Sequence, residues 1–168
     1  MPTVCIIGAG SSGIAGAKVL QERGVPFDCY EKSDRVGGNW VFGNRNGMSS
    51  SYSTLHINTS RERMEYSDYP MPKSFPDFPH HTHIAKYFND YVDHFGFRDK
   101  IRFRTGVEHA RRREDGVWDV ELEGGAAARS HGRGRRRAVV YGPEPARAAG
   151  SVMPRQARPG RRRTRRTR

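Results

Sequence analysis

The chain has 168 residues, 35% of them hydrophobic and 10% aromatic, enough to close one domain around its own core. Its net charge of +12 would suit a nucleic-acid binder if it were evenly spread. It is not: residues 126–168 hold 14 Arg, no Lys and one acid (Glu144), whereas residues 1–125 set 16 Lys+Arg against 17 Asp+Glu, so composition alone excludes a basic nucleic-acid-binding body.

Thr3–Gly8 (TVCIIG) is a short continuous apolar run ending in glycine, the pattern of a strand buried on both faces. Met1 leads straight into it and leaves no room for a signal peptide. Ser12–Arg23 reads as a helix rich in small residues, stopped by Gly24. Pro26–Glu31 (PFDCYE) is predicted as a second strand, so a parallel βαβ unit occupies the first thirty or so residues. The two cysteines, Cys5 and Cys29, fall inside these strands and offer neither a disulfide framework nor a zinc spacing. No apolar run approaches the ~20 residues that cross a bilayer. A reduced, cytoplasmic setting is expected.

Residues 32–60 are rich in Gly, Ser and Asn and read as a long loop of the kind that usually carries function. Pro70, Pro72, Pro76 and Pro79 exclude regular structure from residues 66–80. Thr82 is positioned to cap a helix over 83–95, where Ile84, Tyr87, Phe88, Tyr91, Val92 and Phe95 share one face. Alternation from Ile101 to Val107, a turn at Glu114-Asp115-Gly116 and the run Val117–Glu123 predict a β-hairpin near 101–123. Arg111-Arg112-Arg113 is expected as a solvated strand end. Beyond Gly124 the Arg, Ala, Gly and Pro composition cannot bury enough apolar surface to fold, and residues 126–168 read as a disordered tail. The fold class expected is α/β, a partial Rossmann-type domain over 1–125.

Gly8-Ala9-Gly10-Ser11-Ser12-Gly13 is a GxGxxG that follows a predicted strand and opens a predicted helix. Glu31 lies 18 positions past Gly13, near the ~20 of a dinucleotide site. In such a site Gly8 makes the tight turn, Gly10 admits a pyrophosphate to the backbone, and Gly13 lets helix and strand pack closely. The helix N-terminus supplies free N–H groups and a positive dipole end, and Glu31 accepts from ribose hydroxyls while its charge disfavours a 2′-phosphate. Beyond Glu31 and Lys32, the pair Gly37-Gly38 followed by Asn39 and Trp40 resembles the loop by which two-dinucleotide flavoproteins pass over FAD. Trp40 also suits a plain core position.

From Gly8 to Glu123 the sequence is similar to flavin-containing monooxygenases. The resemblance rests on GAGSSG, on EKSDRVGGNW and on TLHINTSRERMEYSDYPMPKSFPDFPHHTHIAKYFNDYVDHFG, in the family's order. It implies FAD and NADPH as cofactors, and oxygenation of small nitrogen or sulfur nucleophiles through a flavin C4a-hydroperoxide. It places Gly8, Ala9, Gly10, Ser11, Ser12, Gly13, Glu31, Lys32, Gly38, Asn39 and Trp40 along FAD. Asn58, flanked by Ile57 and Thr59, matches an Asn at the flavin's reactive edge; a buried amide suits that task because it donates and accepts without titrating. A plain turn residue is the alternative there. His80, His81 and His83 invite a metal reading, but no carboxylate or Cys completes a set.

The resemblance also implies a longer enzyme with a second Gly-rich motif in an NADPH domain, a Phe, Gly and His fingerprint before it, and an apolar strand after the hairpin. This chain instead has Arg133-Gly134-Arg135-Arg136-Arg137, which is what an out-of-frame reading of a GC-rich gene yields, so the chain is expected to be an incomplete enzyme with little activity alone. Two competing functions stand beside this one: a Rossmann scaffold whose Arg-rich arm binds nucleic acids or other polyanions, and an NAD-dependent reductase fragment, which the Gly-Gly-Asn-Trp loop disfavours.

Overall fold

The computed structural model describes residues 4–124 and the backbone of Val140–Tyr141. Strand β1 is Val4–Ile7, helix α1 is Ser11–Glu22 and strand β2 is Phe27–Tyr30. Strands β1 and β2 run parallel, with Val4 opposite Phe27 and Ile7 opposite Tyr30, so the predicted βαβ unit is present. Strand β3, Ile101–Arg102, adds parallel to β2. Because a strand turns successive side chains to opposite faces, Ile6 and Cys29 point into the main core with Ile14 and Ala17 of α1, while Cys5 and Tyr30 point the other way.

The main core lies between α1 and helix α3, His81–His94, whose residues Ile84, Tyr87, Phe88, Tyr91 and Val92 are all buried. This is the face the periodicity marks, but the helix starts two residues before the predicted start and the cap is not Thr82. His80 takes that place, its Nδ1 accepting from the Thr82 N–H at 3.4 Å. An imidazole nitrogen without a proton accepts as a carboxylate or hydroxyl does, and the His80 backbone is held by an isolated bridge to His56. Between Trp40 and α3 the chain makes only one short helix, α2 at Arg61–Met64.

The expected continuous strand from Ile101 to Val107 is broken. The Glu31 N–H donates to the Arg102 carbonyl, then the Arg104 N–H donates to Ser33 O (2.9 Å) and the Thr105 N–H to Glu31 O (2.9 Å). Arg104, at φ 53, is the described non-glycine residue with left-handed backbone, and there the chain swings off the sheet edge. The hairpin is therefore shorter than predicted and separate from the parallel sheet: strand β4, Val107–Arg112, pairs antiparallel with strand β5, Trp118–Leu122. It packs over the second face of the sheet through Leu122, Val107 and Val120 against Cys5, Tyr30 and Ile7. Arg111, Arg112 and Arg113 are exposed, as expected.

A further difference concerns the strand expected to be displaced by arginines. The backbone of Val140–Tyr141 forms strand β6, parallel to β1, with Cys5 opposite Val140 and Ile6 opposite Tyr141. The parallel sheet therefore has the order β3-β2-β1-β6. A two-residue apolar segment is too short to stand out among arginines in a composition argument, yet it meets an open edge of β1. The expectation of disorder for the rest of 126–168 lies outside the described residues.

Candidate functional site

The glycine turn joins β1 to α1 and is tied down from several directions. The Gly8 N–H donates to Tyr30 O at 2.8 Å, and the Gly37 N–H donates to Ala9 O at 3.1 Å. Gly13 is there for space: a Cβ at that position would lie 1.9 Å from the Gly8 carbonyl oxygen. Gly38, at φ 54, faces Gly10 so closely that a Cβ on it would stand 3.1 Å from the Gly10 Cα. The two glycine segments, nearly thirty residues apart in sequence, thus lie backbone to backbone.

Helix α1 begins without a side-chain cap at Gly10 and has no acid in its first turn. Its leading N–H groups and positive dipole end are left for an anion. Glu31, only 4% exposed, stands directly across this turn. One carboxylate oxygen, Oε2, accepts from the Ala9 N–H at 2.6 Å, and Oε1 accepts from the Ser33 N–H at 2.6 Å. The acid that closes β2 is therefore in contact with the glycine turn. Each oxygen keeps a further lone pair for a ribose hydroxyl. An uncapped helix end, a turn stripped of side chains and an adjacent buried carboxylate fit the diphosphate and ribose of a dinucleotide.

The other sequence-predicted residues are distributed around this centre. Ser11 and Ser12 open α1, and the Ser11 carbonyl accepts from the Tyr66 hydroxyl at 2.6 Å. Lys32 points to Glu123 of the hairpin, with a 2.6 Å ion pair. Asn39 holds the loop beyond it, its Oδ1 accepting from the Ser50 N–H at 3.2 Å. Trp40 is half-buried against the main core. Ile57 is a core residue, its N–H donating to Pro79 O at 3.1 Å.

Asn58 and Thr59 are exposed, so the buried amide expected at Asn58 is corrected to a surface one. Among the described hydrogen bonds none joins residues 57–59 to the glycine turn. The histidines separate by role: His80 caps α3, His81 is buried beside Phe42, and His83 packs on Phe75. Among the described residues no group of three His, Cys, Asp or Glu is gathered to hold a metal.

Sequence reasoning missed two kinds of residue. Ser33 and Asn44 are buried polar side chains bonded to each other, Ser33 Oγ donating to Asn44 Oδ1 at 2.8 Å. Burial of a polar residue in a Gly- and Asn-rich loop has no sequence signature. Tyr66 and Lys18 also went unassigned. Lys18, buried in α1, pairs with Glu22 and with Asp68 beyond Tyr66, so the tyrosine segment is latched to α1 at two points. Hydrogen bonding by Asp68, then by Glu22, raises the Lys18 pKa further above its ordinary value, against the cost of burial.

The fold and the site together define a βαβ dinucleotide-binding unit with a hairpin layer on its second face. The family model for flavin-binding monooxygenase-like proteins matches residues 2–130. The chain belongs to that family. Flavin-containing monooxygenase 5 of Oryctolagus cuniculus is 41% identical over 126 residues, which cover 71% of this chain and 24% of that protein. The Homo sapiens protein of the same name is 36% identical over the same coverage. Among solved structures, S-allyl-L-cysteine S-oxygenase from Allium sativum superposes with a TM-score of 0.67 at 26% identity, over 74% of this chain and 33% of that one. Closed cyclohexanone monooxygenase superposes with a TM-score of 0.62 at 26% identity, over 74% of this chain and 24% of that one. The chain spans about a quarter of the length of the curated relatives it matches.

Proposed function

We propose that this chain carries the FAD-binding βαβ unit of a monooxygenase that uses NADPH and molecular oxygen to oxygenate a small nucleophilic nitrogen or sulfur compound. The observation that carries the proposal is the 2.6 Å contact between the Glu31 carboxylate and the Ala9 N–H, which sets the acid and the glycine turn side by side at an uncapped helix end. The N–H groups of Ser11, Ser12 and Gly13 hold the diphosphate, and Glu31 orients the adenosine ribose. Gly38 keeps the second loop low enough for the cofactor to pass, while Asn39 and Trp40 border it. Lys32, which follows Glu31 and pairs with Glu123, borders the cofactor at the β2 exit. Bound FAD supplies the redox chemistry and oxygen activation, with NADPH as the source of reducing equivalents. Asn58 with Ile57 and Thr59 serves the reactive edge, and its exposed position fits a residue covered by further parts of a family enzyme.

The oxygenated product and the substrate are the business of a longer enzyme, since relatives are about four times the length matched here. The arginines of 126–168 give the tail a nonspecific affinity for polyanions. Two free cysteines, both buried, suit a reducing compartment such as the cytoplasm; among the described residues no helix is long and apolar enough to cross a membrane.

The decisive experiment is titration of the purified chain with FAD, read by quenching of flavin fluorescence. Saturable binding is expected, weakened at least tenfold in Glu31→Ala because charge-assisted hydrogen bonds to the ribose are lost. A chain that binds NAD in preference to FAD, or binds neither, would refute the proposal.

A further inference from the structure

The buried polar chain behind Glu31 has a direction. Ala9 N–H donates to Glu31 Oε2, Ser33 N–H donates to Glu31 Oε1, and Ser33 Oγ donates to Asn44 Oδ1 at 2.6, 2.6 and 2.8 Å. All three bonds are buried, with Glu31 4%, Ser33 2% and Asn44 9% exposed. Asn44 Oδ1 also accepts from the Asn46 N–H at 3.3 Å, which folds the 44–47 loop around the side chain. Asn44 Nδ2, by contrast, is buried without a partner. The Asn44 oxygen thus serves two donors, the Ser33 hydroxyl and the Asn46 N–H.

Its oxygen holds Ser33. Ser33 is fixed on its other side by its carbonyl, which accepts from the Arg104 N–H at 2.9 Å. The segment that delivers an N–H to Glu31 is therefore clamped between the strained exit of β3 and Asn44. Without the Asn44 oxygen the Ser33 hydroxyl loses its acceptor, and the segment that delivers the Ser33 N–H to Glu31 Oε1 is held by the Arg104 bond alone.

We infer that Asn44, acting through Ser33, is a positioning residue for the ribose-binding carboxylate: it anchors the segment whose N–H holds Glu31 Oε1, and so keeps the carboxylate aimed for the adenosine ribose. The inference rests on the assignment of the glycine turn to FAD, and its test is built so that the two can fail separately. ADP and 2′,3′-dideoxy-ADP are competed against FAD on the full chain, and the ratio of their affinities is the readout. General loosening of the fold weakens both nucleotides alike and leaves that ratio unmoved.

In the unsubstituted chain ADP is expected to bind roughly 10- to 100-fold tighter than its dideoxy analogue, the worth of hydrogen bonds to a charged acceptor. In Asn44→Ala the ratio falls toward one, and Ser33→Ala does the same by removing the N–H segment's anchor. Asn44→Asp, which retains an oxygen for the Ser33 hydroxyl, restores much of the preference. If the unsubstituted chain binds neither FAD nor ADP, the flavin assignment fails and the inference with it. If it binds both and prefers ADP, while Asn44→Ala and Ser33→Ala keep that preference, the positioning role is overturned and the assignment stands. Should Asn44→Ala not fold, the ratio in Ser33→Ala decides alone.

Discussion

At the scale of single residues, the site depends on what side chains are missing as much as on those present. Gly13 is the sharpest case, because a Cβ there would lie 1.9 Å from the Gly8 carbonyl oxygen, a backbone atom and not the end of a flexible side chain. Gly13→Ala is expected to cost about 3 kcal/mol, the upper part of the usual range for overpacking, and to abolish FAD binding by splaying the turn. Urea unfolding together with FAD titration measures both; an alanine variant with unchanged midpoint and affinity contradicts this geometry. Glu31 makes the complementary point. Its place 18 residues after Gly13 marks it in the sequence, but its second task, bracing the Ala9 and Ser33 amides, is visible only in three dimensions.

At the scale of elements, the hairpin of β4 and β5 is the least self-sufficient part, since a two-stranded sheet is marginal by itself. It is held mainly by Leu122, 8% exposed, against Cys5 and Tyr30, and by the Lys32–Glu123 ion pair. Both members of that pair are roughly half exposed, so the pair contributes little. Leu122→Ala is expected to destabilise by about 2–3 kcal/mol, toward the low end for a buried leucine because the site lies near the surface. Hydrogen exchange should then quicken across 107–122 while α3 keeps its protection. Equal loss of protection in both would show that the hairpin is not a separate layer. Helix α3 draws its resistance from another source, a cluster in which Tyr66, Tyr69, Tyr87, Tyr91 and Phe88 pack ring to ring, with centroids 4.5–5.9 Å apart.

At the scale of the whole molecule, the buried thiols tie folding to alkaline pH. Burial, and secondarily Asp28, pushes Cys5 up to about 11, and burial, then Glu31 and Cys5, pushes Cys29 up to about 12, both from an ordinary 9.0. The folded state therefore keeps protons that the unfolded chain releases. The contribution of these groups is fully present below about pH 9 and is lost as pH rises through 11 and 12. Tyr87 and Tyr91, raised to about 12 by burial, add to the same trend higher up. Urea midpoints taken from pH 8 upward are expected to fall from about pH 9, less steeply in a Cys5→Ala/Cys29→Ala variant. A midpoint flat to pH 11 would rule out buried thiols as the cause.

Much of this molecule was legible in order and kind. The apolar run before GAGSSG, the acid after PFDCY and the Gly37-Gly38 pair foretold the βαβ unit and its glycine turn, because tight turns and close backbone approach admit few residue types and so leave a mark in sequence. The apolar stripe of α3 was legible because a helix buried on one side must repeat its large residues. What remained hidden depends on partners distant along the chain. The break after Arg102 arises because backbone groups of Glu31 and Ser33 draw Arg104 and Thr105 away from the sheet; alternation cannot register that competition. The edge place of β6 depends on an unfilled side of β1, and the burial of Ser33 and Asn44 on three loops meeting. Local sterics and periodicity are written residue by residue, whereas which hydrogen-bonding group finds which partner is decided only when distant segments share one volume.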